Sequence, residues 1–455
     1  MEEEIQMNKM GVAPIKKLML AMGIPMVLSM VLQAFYNIVD SYFVSCMEGV
    51  GEYGVNALTL SFPIQMLMIA IGVGTGVGIN AILSRSLGQG NREKASKIAG
   101  NAIFLGLCTY AAFLLFGLFG VNAYMSSQTS DATILQMGNA YLTICTTLSF
   151  GVMLNMIYEK LLQATGKTGL STIAQLAGAA TNIVLDPIMI FGWLGCPKLG
   201  ISGAAYATVI GQTVTMLLGA FFHYKLNKEV NSKLIYLKPE AAIIGNIYQV
   251  GFPAIIMQAL MSFMTYGVNL IFGTVSSGLV TAYGVYYKIQ QFVFFAAFGL
   301  NNALIPIVAF NYGMEDRRRI NDGIKYGLIY TLVIMGLGAI ALELFANQIA
   351  GAFSLSAETQ TLCARAIRII SLGYLFAGAN IAFQGIFQAL GYGIHSLFVS
   401  LLRLIVIALP LAWALTLLPN ASQVVWVTFP IAEGLALIAA IIMMRKISKE
   451  RLQSI

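Results

Sequence analysis

An aspartate lies within an apolar segment that is long enough to cross a bilayer. Asp186 belongs to the stretch 182–187, inside the apolar run from Thr168 to Trp193. Ionisable residues in membrane-spanning helices are costly, and they commonly mark ion or substrate sites. Asn182 precedes the acid by four residues, so a helix places both on one face. Pro187 frees a backbone carbonyl one turn earlier and is a candidate bend point. These groups predict a functional acid that takes up H⁺ or Na⁺; the alternative is a hydrogen bond between helices that only fixes their packing.

A second acid, Asp40, lies five residues before the end of the first apolar run. Pro25 precedes it by fifteen residues, about four helical turns, and with Gly23 beside it forms a natural bend point. Tyr36 and Asn37, about one turn before the acid, are candidate side chains of a cleft. Residues near helix ends readily reach water, so the alternative is that Asp40 is simply hydrated at the outer surface.

The second half of the chain carries charges of both signs in its apolar runs. Buried opposite charges usually pair, and Arg403 and Glu433 fall in the inner part of neighbouring predicted helices. We therefore predict a structural ion pair between them. Lys288 has no evident partner and is a further candidate cleft residue. Because the acids of the first half are unpaired, ion coupling is predicted there.

The composition indicates that membrane-spanning helices position these residues. The chain has 455 residues, 58% hydrophobic and 10% charged, with mean hydropathy +0.79, whereas soluble domains contain about 25% charged residues. This is an all-α, polytopic membrane protein. On the rule that about twenty apolar residues span a bilayer, the predicted helices are 17–45, 54–84, 95–120, 134–158, 168–193, 200–225, 243–272, 279–310, 320–345, 360–386, 395–418 and 422–445.

The basic residues orient these twelve helices. With the N-terminus inside, 21 of the 26 Lys and Arg fall in inner segments and only Lys198 lies in an outer loop. This asymmetry places both termini in the cytoplasm. It also explains the net charge of +7 without a nucleic-acid partner, and we expect none.

The two halves of the sequence resemble each other. Residues 86–92 correspond to 311–317, and 162–166 to 387–391, at a common offset of 225. Six helices per half make the repeat parallel, related by an axis along the membrane normal. We predict an N-terminal lobe at 1–225, a cytoplasmic linker at 226–242 and a C-terminal lobe at 243–455, with a cleft between the lobes that opens alternately to each side.

Several kinds of chemistry are excluded or disfavoured. The Gly-rich stretch 72–78 lies within a span, so it favours close helix packing over a nucleotide loop, and no GxxxxGK[ST] motif occurs. The cysteines and the two histidines show no metal-ligand spacing. No nucleophile–base pair indicates an enzyme, and no cofactor is expected. Cys46 and Cys196 both fall near outer helix ends, and whether they pair stays open.

At these residues the chain resembles the multidrug and toxic compound extrusion (MATE) family over nearly its whole length. The resemblance rests on twelve helices in two sets of six, the loop 87–92, the turn 163–166, and the Asn182, Asp186 and Pro187 pattern. This pattern, taken together with Asp40 and Pro25, makes the chain similar to the DinF-like branch, which includes bacterial MepA-type pumps. The resemblance implies that Asp40 and Asp186, with Asn182 beside them, bind the coupling H⁺ or Na⁺. The seventh predicted helix contains no acid, and in this the chain differs from the NorM-type branch.

The resemblance and the unpaired acids together predict a monomeric plasma-membrane efflux antiporter. It would exchange external H⁺ or Na⁺ for a cationic, amphipathic small molecule, and the only metal expected is Na⁺ at Asp186. A flippase for lipid-linked precursors, as in the related MurJ-like proteins, would need several cleft cations for a pyrophosphate, and Lys288 is the main candidate. A channel is disfavoured by the two-lobe design. The sequence leaves the substrate and the coupling ion open.

Overall fold

The computed structural model describes residues 8–353 and 355–452, with the backbone alone at Tyr36, Asn37 and Leu452. The candidate cleft side chains of Tyr36 and Asn37 therefore lie outside the described atoms. All regular structure in the described ranges is helical. The helices of the first half are α1 (Lys9–Val12), α2 (Ile15–Ser45), α3 (Gly51–Gly88), α4 (Arg92–Phe119), α5 (Val121–Gln128), α6 (Ala132–Thr147), α7 (Phe150–Ala164), α8 (Thr168–Phe191) and α9 (Ile201–Leu226).

The second half repeats this series with more interruptions. Its helices are α10 (Ala241–Gly273), α11 (Ser277–Gly313), α12 (Arg317–Gly351), α13 (Ala357–Ser371), α14 (Tyr374–Ala389), α15 (Gly393–Leu401), α16 (Ala408–Thr416), α17 (Ala421–Val424) and α18 (Thr428–Ile447). A π-helical turn, Leu402–Val406, joins α15 to α16, and another, Ser448–Leu452, follows α18. Short 3₁₀ turns occur at Trp193–Gly195, Leu234–Leu237 and Val425–Val427.

Twelve membrane spans result, as the sequence predicted. In the described part of the chain, ten helices are long and apolar enough to span, and α6–α7 and α13–α14 add one bent span each. The bends are 45° and 53°, and they fall at the fourth span of each half. The all-α membrane fold is thus confirmed, and both halves break the same span.

The repeat extends to individual backbone angles. Gly90 has φ +71° and Glu315, at the offset of 225, has φ +60°. The next residues are N-caps in both halves: Asn91 Oδ1 accepts from Lys94 N at 2.9 Å, and Asp316 Oδ1 accepts from Arg319 N at 3.0 Å. Left-handed backbone costs little for glycine but about 1–2 kcal/mol for other residues. The second half therefore keeps the turn geometry at a residue unsuited to it.

Replacing Glu315 by glycine is expected to stabilise the protein by about 1 kcal/mol, because it removes that backbone cost. The matched change, Gly90→Ala, should destabilise by a similar amount, since a Cβ there meets no atom within 4 Å and only the backbone angle changes. Thermal unfolding in detergent would measure both. Equal unfolding temperatures for Glu315→Gly and the parent would show that the turn relaxes without strain.

The described residues pack into two compact units whose boundaries lie inside helices. One unit is Leu28–Ile247, and the other is the chain up to Val27 together with the chain from Tyr248 onward. One boundary therefore falls in α2, two residues beyond Pro25. The lobes predicted at 1–225 and 243–455 follow the sequence repeat, which is a different division and stays a prediction.

The lead segment of the chain is anchored in the second of these units. Arg319 Nη2 donates to the carbonyls of Met10 and Ala13, each at 2.8 Å, and its Nε donates to Asn311 Oδ1 at 2.7 Å. Asn311 Nδ2 also donates to the Met10 carbonyl, at 3.1 Å. These bonds satisfy carbonyls around the short helix α1, so the segment before α2 is fixed against α11 and α12.

The glycine-rich stretch of α3 serves helix packing, as predicted. Gly72 packs against Met156 of α7, and a Cβ on Gly76 would lie 2.7 Å from Lys160 Cγ. Lys160, one of the basic residues assigned to the inner segments, is buried, because α7 runs on to Ala164 and leaves the residue only 4% exposed. Its Nζ donates to Gln163 Oε1 at 2.9 Å and lies 3.7 Å from Glu159 Oε1. The ammonium is therefore held by polar partners on its own helix.

Candidate functional site

The Asp186 carboxylate is buried between α8 and α9. Asp186 is 0% exposed and Asn182 3%. Asn182 Nδ2 lies 3.4 Å from Asp186 Oδ1 and 3.4 Å from Thr208 Oγ1 of α9. The predicted helix face is thus formed, and the amide connects the acid to the neighbouring helix.

Two glycines allow α8 and α9 to approach closely enough for this contact. A Cβ on Gly178 would lie 2.6 Å from the carbonyl oxygen of Gly211, and a Cβ on Gly211 would lie 3.0 Å from Asn182 Cβ. Small residues let membrane helices pack backbone to backbone. The pair therefore determines how far Asn182 and Thr208 stand apart.

Three buried oxygens at this place lack a hydrogen-bond donor within the described part of the chain. They are Asp186 Oδ2, Asn182 Oδ1 and Asp40 Oδ1. Buried acceptors without donors are rare and cost free energy. Carboxylate and amide oxygens would be satisfied by an added proton or by a hard cation such as Na⁺. The chemistry of these donor groups therefore fits the predicted coupling ion.

Asp40 lies within reach of the same polar group. Its Oδ1 is buried, and its charge acts on Asp186, Tyr141 and Cys145. The side chain of Asp40 is partly exposed overall, while its Oδ1 is shielded from water, and its role as an ion ligand stays a prediction. Two neighbouring buried acids can share one cation or proton more readily than both can stay ionised.

Sequence reasoning missed three polar residues near the acids. Thr208 contacts Asn182, and Gln65 Nε2 donates to the Tyr141 hydroxyl at 3.1 Å. Thr208 lies on α9, Gln65 on α3 and Tyr141 on α6, all far from the acids along the chain. A signal did exist, because each is a polar side chain inside an apolar span, but uncharged residues of that kind are common and do not identify their partners.

The two prolines predicted as bend points sit inside continuous helices. Pro25 lies in α2 and Pro187 in α8, directly after Asp186. Each lacks the N–H that would bond the carbonyl four residues earlier. The role of these prolines as bend points stays a prediction.

Arg403 and Glu433, the two charged residues predicted to pair in the second half, form a buried ion pair. Arg403 Nη2 lies 2.6 Å from Glu433 Oε1, and Nε donates to the same oxygen at 2.8 Å. Asn380 Nδ2 donates to Glu433 Oε2 at 2.7 Å and to the Glu433 carbonyl at 2.9 Å. Arg403 sits in the π-helical turn Leu402–Val406, a feature frequent at functional sites. That the pair is structural stays a prediction.

The repeat relates this pair to the first-half site. Glu433 follows Thr208 by the common offset of 225, so both occupy the same place in the sixth span of their halves. The pair borders a cavity of about 50 Å³ with aromatic walls that include Tyr283, Tyr286 and Phe294. Where the first half leaves carboxylate oxygens without donors, the second half supplies an arginine.

The remaining candidates are Lys288 and the two outer cysteines. Lys288 is exposed on α11 and forms no ion pair among the described residues. Cys46 and Cys196, whose pairing the sequence left open, are free thiols, as are the other three cysteines.

The comparison with family models decides the assignment. A match to the MatE family covers residues 25–188 and 253–414, once in each half. The chain belongs to the MatE family. The resemblance inferred from the sequence motifs is confirmed, and the family is one of transporters rather than enzymes.

Relatives and solved structures agree with this assignment. The chain is 26% identical over 430 residues to the multidrug export protein MepA of Staphylococcus aureus strain MRSA252, covering 94% of this chain and 93% of that protein. It is 26% identical over 424 residues to MepA of Staphylococcus saprophyticus, covering 93% and 92%. A MATE family multidrug resistance transporter in an outward-facing conformation shares the fold, with TM-score 0.92, 24% identity and 99% of each chain covered.

Proposed function

We propose that this MatE protein is a multidrug efflux antiporter that exchanges external H⁺ or Na⁺ for an internal cationic, amphipathic small molecule. The observation that carries the proposal is the group of donor-less oxygens on Asp40, Asn182 and Asp186. The names of the MepA relatives, multidrug export proteins, support the export of varied compounds.

Coupling requires that ion and substrate favour different conformations, because a ligand shifts an equilibrium only by its differential affinity for the two states. An ion bound at Asp40 and Asp186 neutralises two acids on α2 and α8. The same helices are joined by a hydrogen bond from Ser29 Oγ to Thr172 Oγ1 at 3.0 Å. Ion binding can therefore change the packing of α2, and with it the affinity of the first half for substrate.

The proposal includes the location and state of the protein. We place the protein in the plasma membrane, and the concentration of basic residues in the predicted inner segments supports an orientation with both termini in the cytoplasm. A single chain supplies the acids and their polar neighbours, which supports a monomer. No cofactor is needed beyond the coupling ion.

Transport by purified protein in liposomes tests the proposal. A proton gradient and a Na⁺ gradient are imposed separately, and the movement of a fluorescent organic cation is followed. Saturable movement of the probe against its own gradient, driven by one of the ions, is the expected result. Probe movement that is never uphill, under either gradient, would contradict an antiporter and favour a channel.

The bend at Pro25 should matter for the rate of the cycle. Pro25→Ala restores the missing N–H in α2, two residues before the boundary of the compact units, so it should stiffen the helix there. We expect slower gradient-driven transport with unchanged binding of the probe in equilibrium titrations. Pro63→Ala in α3 serves as a control for removing a proline from a spanning helix. Transport by Pro25→Ala at the parent rate would remove the bend from the mechanism.

A further inference from the structure

The linker between α9 and α10 is folded onto the start of α4. Asn101 Nδ2 donates to the Lys238 carbonyl at 3.3 Å, and Asn101 Oδ1 accepts from Glu240 N at 2.8 Å. The Tyr236 carbonyl packs so closely on Gly100 that any Cβ there would collide with it. These contacts hold the linker in one place along α4.

That place is the level at which α4 enters the membrane. Gly100 and Asn101 follow Arg92, the first residue of α4, by eight and nine residues, or roughly 12–14 Å along the helix at about 1.5 Å per residue. The charged residues of α4 end at Lys97, and its apolar run begins at Ile98. The short turn Leu234–Leu237 therefore lies beside the boundary between headgroups and hydrocarbon.

The linker presents apolar and basic side chains at this level. Leu234 is 82% exposed and Ile235 is 73% exposed. Lys228, Lys233 and Lys238 are also exposed and form no ion pair with other described residues. Adjacent apolar side chains flanked by lysines are typical of segments that lie in the interface of anionic membranes.

A small cavity adjoins the same residues. It has a volume of about 30 Å³, and its lining includes His223, Ser232, Lys233, Ile103 and Leu234. Ser232 Oγ lies 3.2 Å from His223 Nε2, which links two of the polar side chains. The lining of the cavity thus combines polar, basic and apolar side chains beside the linker.

We propose that the linker binds an anionic phospholipid of the inner leaflet. Lys233 and Ser232 would contact the headgroup phosphate, while Leu234 and Ile235 enter the acyl region. A bilayer is favoured over a protein partner because both flanking helices span the membrane and the turn lies at its boundary. Through Asn101, lipid binding holds the linker against α4.

The depth of residue 235 in the bilayer tests whether the linker inserts into the membrane. A spin label is attached to Ile235→Cys, and for comparison to Asn231→Cys, in the full chain with its five native cysteines replaced. In bilayers of phosphatidylcholine with phosphatidylglycerol, the label at 235 should be reached by oxygen and the label at 231 by a water-soluble nickel complex. Equal access of the nickel complex to both labels would overturn the proposal and favour a water-exposed surface for a soluble partner.

The affinity of the protein for an anionic phospholipid tests the role of the Lys233 charge. Native mass spectrometry of the full chain, titrated with phosphatidylglycerol, should show about fivefold weaker binding for Lys233→Gln, since a lysine near a membrane surface contributes ~1 kcal/mol. Lys449→Gln, an exposed lysine of the tail, is the matched control and should bind like the parent. Binding of phosphatidylglycerol that is equal in all three proteins, or equal to that of phosphatidylcholine, would refute a specific lipid site. The result is independent of transport activity, so it stands apart from the proposed antiport.

Discussion

Replacing Asp186 by asparagine is expected to abolish ion-driven transport while leaving the protein folded and inserted. The amide has nearly the same shape as the acid but cannot release a proton or carry the charge that holds Na⁺. Because Asp186 is fully buried and one of its oxygens accepts from no donor among the described residues, removing the charge also removes a desolvation cost. Export in liposomes should fall to the level of protein-free vesicles, with an unfolding temperature equal to or above that of the parent.

Glu52→Gln is the matched control for Asp186→Asn. Glu52 is an exposed acid in the first turn of α3, so its neutralisation should leave gradient-driven export unchanged. Full export by Asp186→Asn under either ion gradient would remove this residue from the coupling mechanism. A loss in both variants would instead point to a general effect of surface or net charge.

Replacing Glu433 by glutamine is expected to destabilise the protein by roughly 3–5 kcal/mol, the cost of leaving one member of a buried ion pair without its partner. The side chains of Arg403 and Glu433 are 7% and 13% exposed, so water compensates little. Glutamine keeps an oxygen for Asn380, and the change therefore tests the charge. Yield of monodisperse protein and thermal unfolding in detergent measure the effect.

The double change Glu433→Gln with Arg403→Leu should cost less than the sum of the single changes, because it removes both charges. Glu450→Gln is the control for an exposed pair: Glu450 lies 4.0 Å from Lys446 with both side chains more than half exposed, and the expected effect is below about 1 kcal/mol. Ion coupling should persist in every variant that folds. A well-folded Glu433→Gln protein without ion dependence would move the coupling site to the second half.

The sequence by itself determined the features that depend on neighbouring residues. Span lengths follow from apolar runs, and these located all twelve spans. The face shared by Asn182 and Asp186 follows from the helical period, and the repeat follows from the offset of 225 residues, which recurs in the backbone at Gly90 and Glu315. In each case the information lies within a few turns of helix or in a direct comparison of two segments.

Only the tertiary structure decided which helices bring their polar residues together. Thr208 reaches Asn182 because Gly178 and Gly211 allow α8 and α9 to touch, and the burial of Lys160 follows from the packing of α7 on α3. Neither the rotation of one helix against another nor the path of the linker along α4 is encoded in local periodicity. They result from the fit of side chains between segments far apart in sequence, so they emerge only when the helices pack.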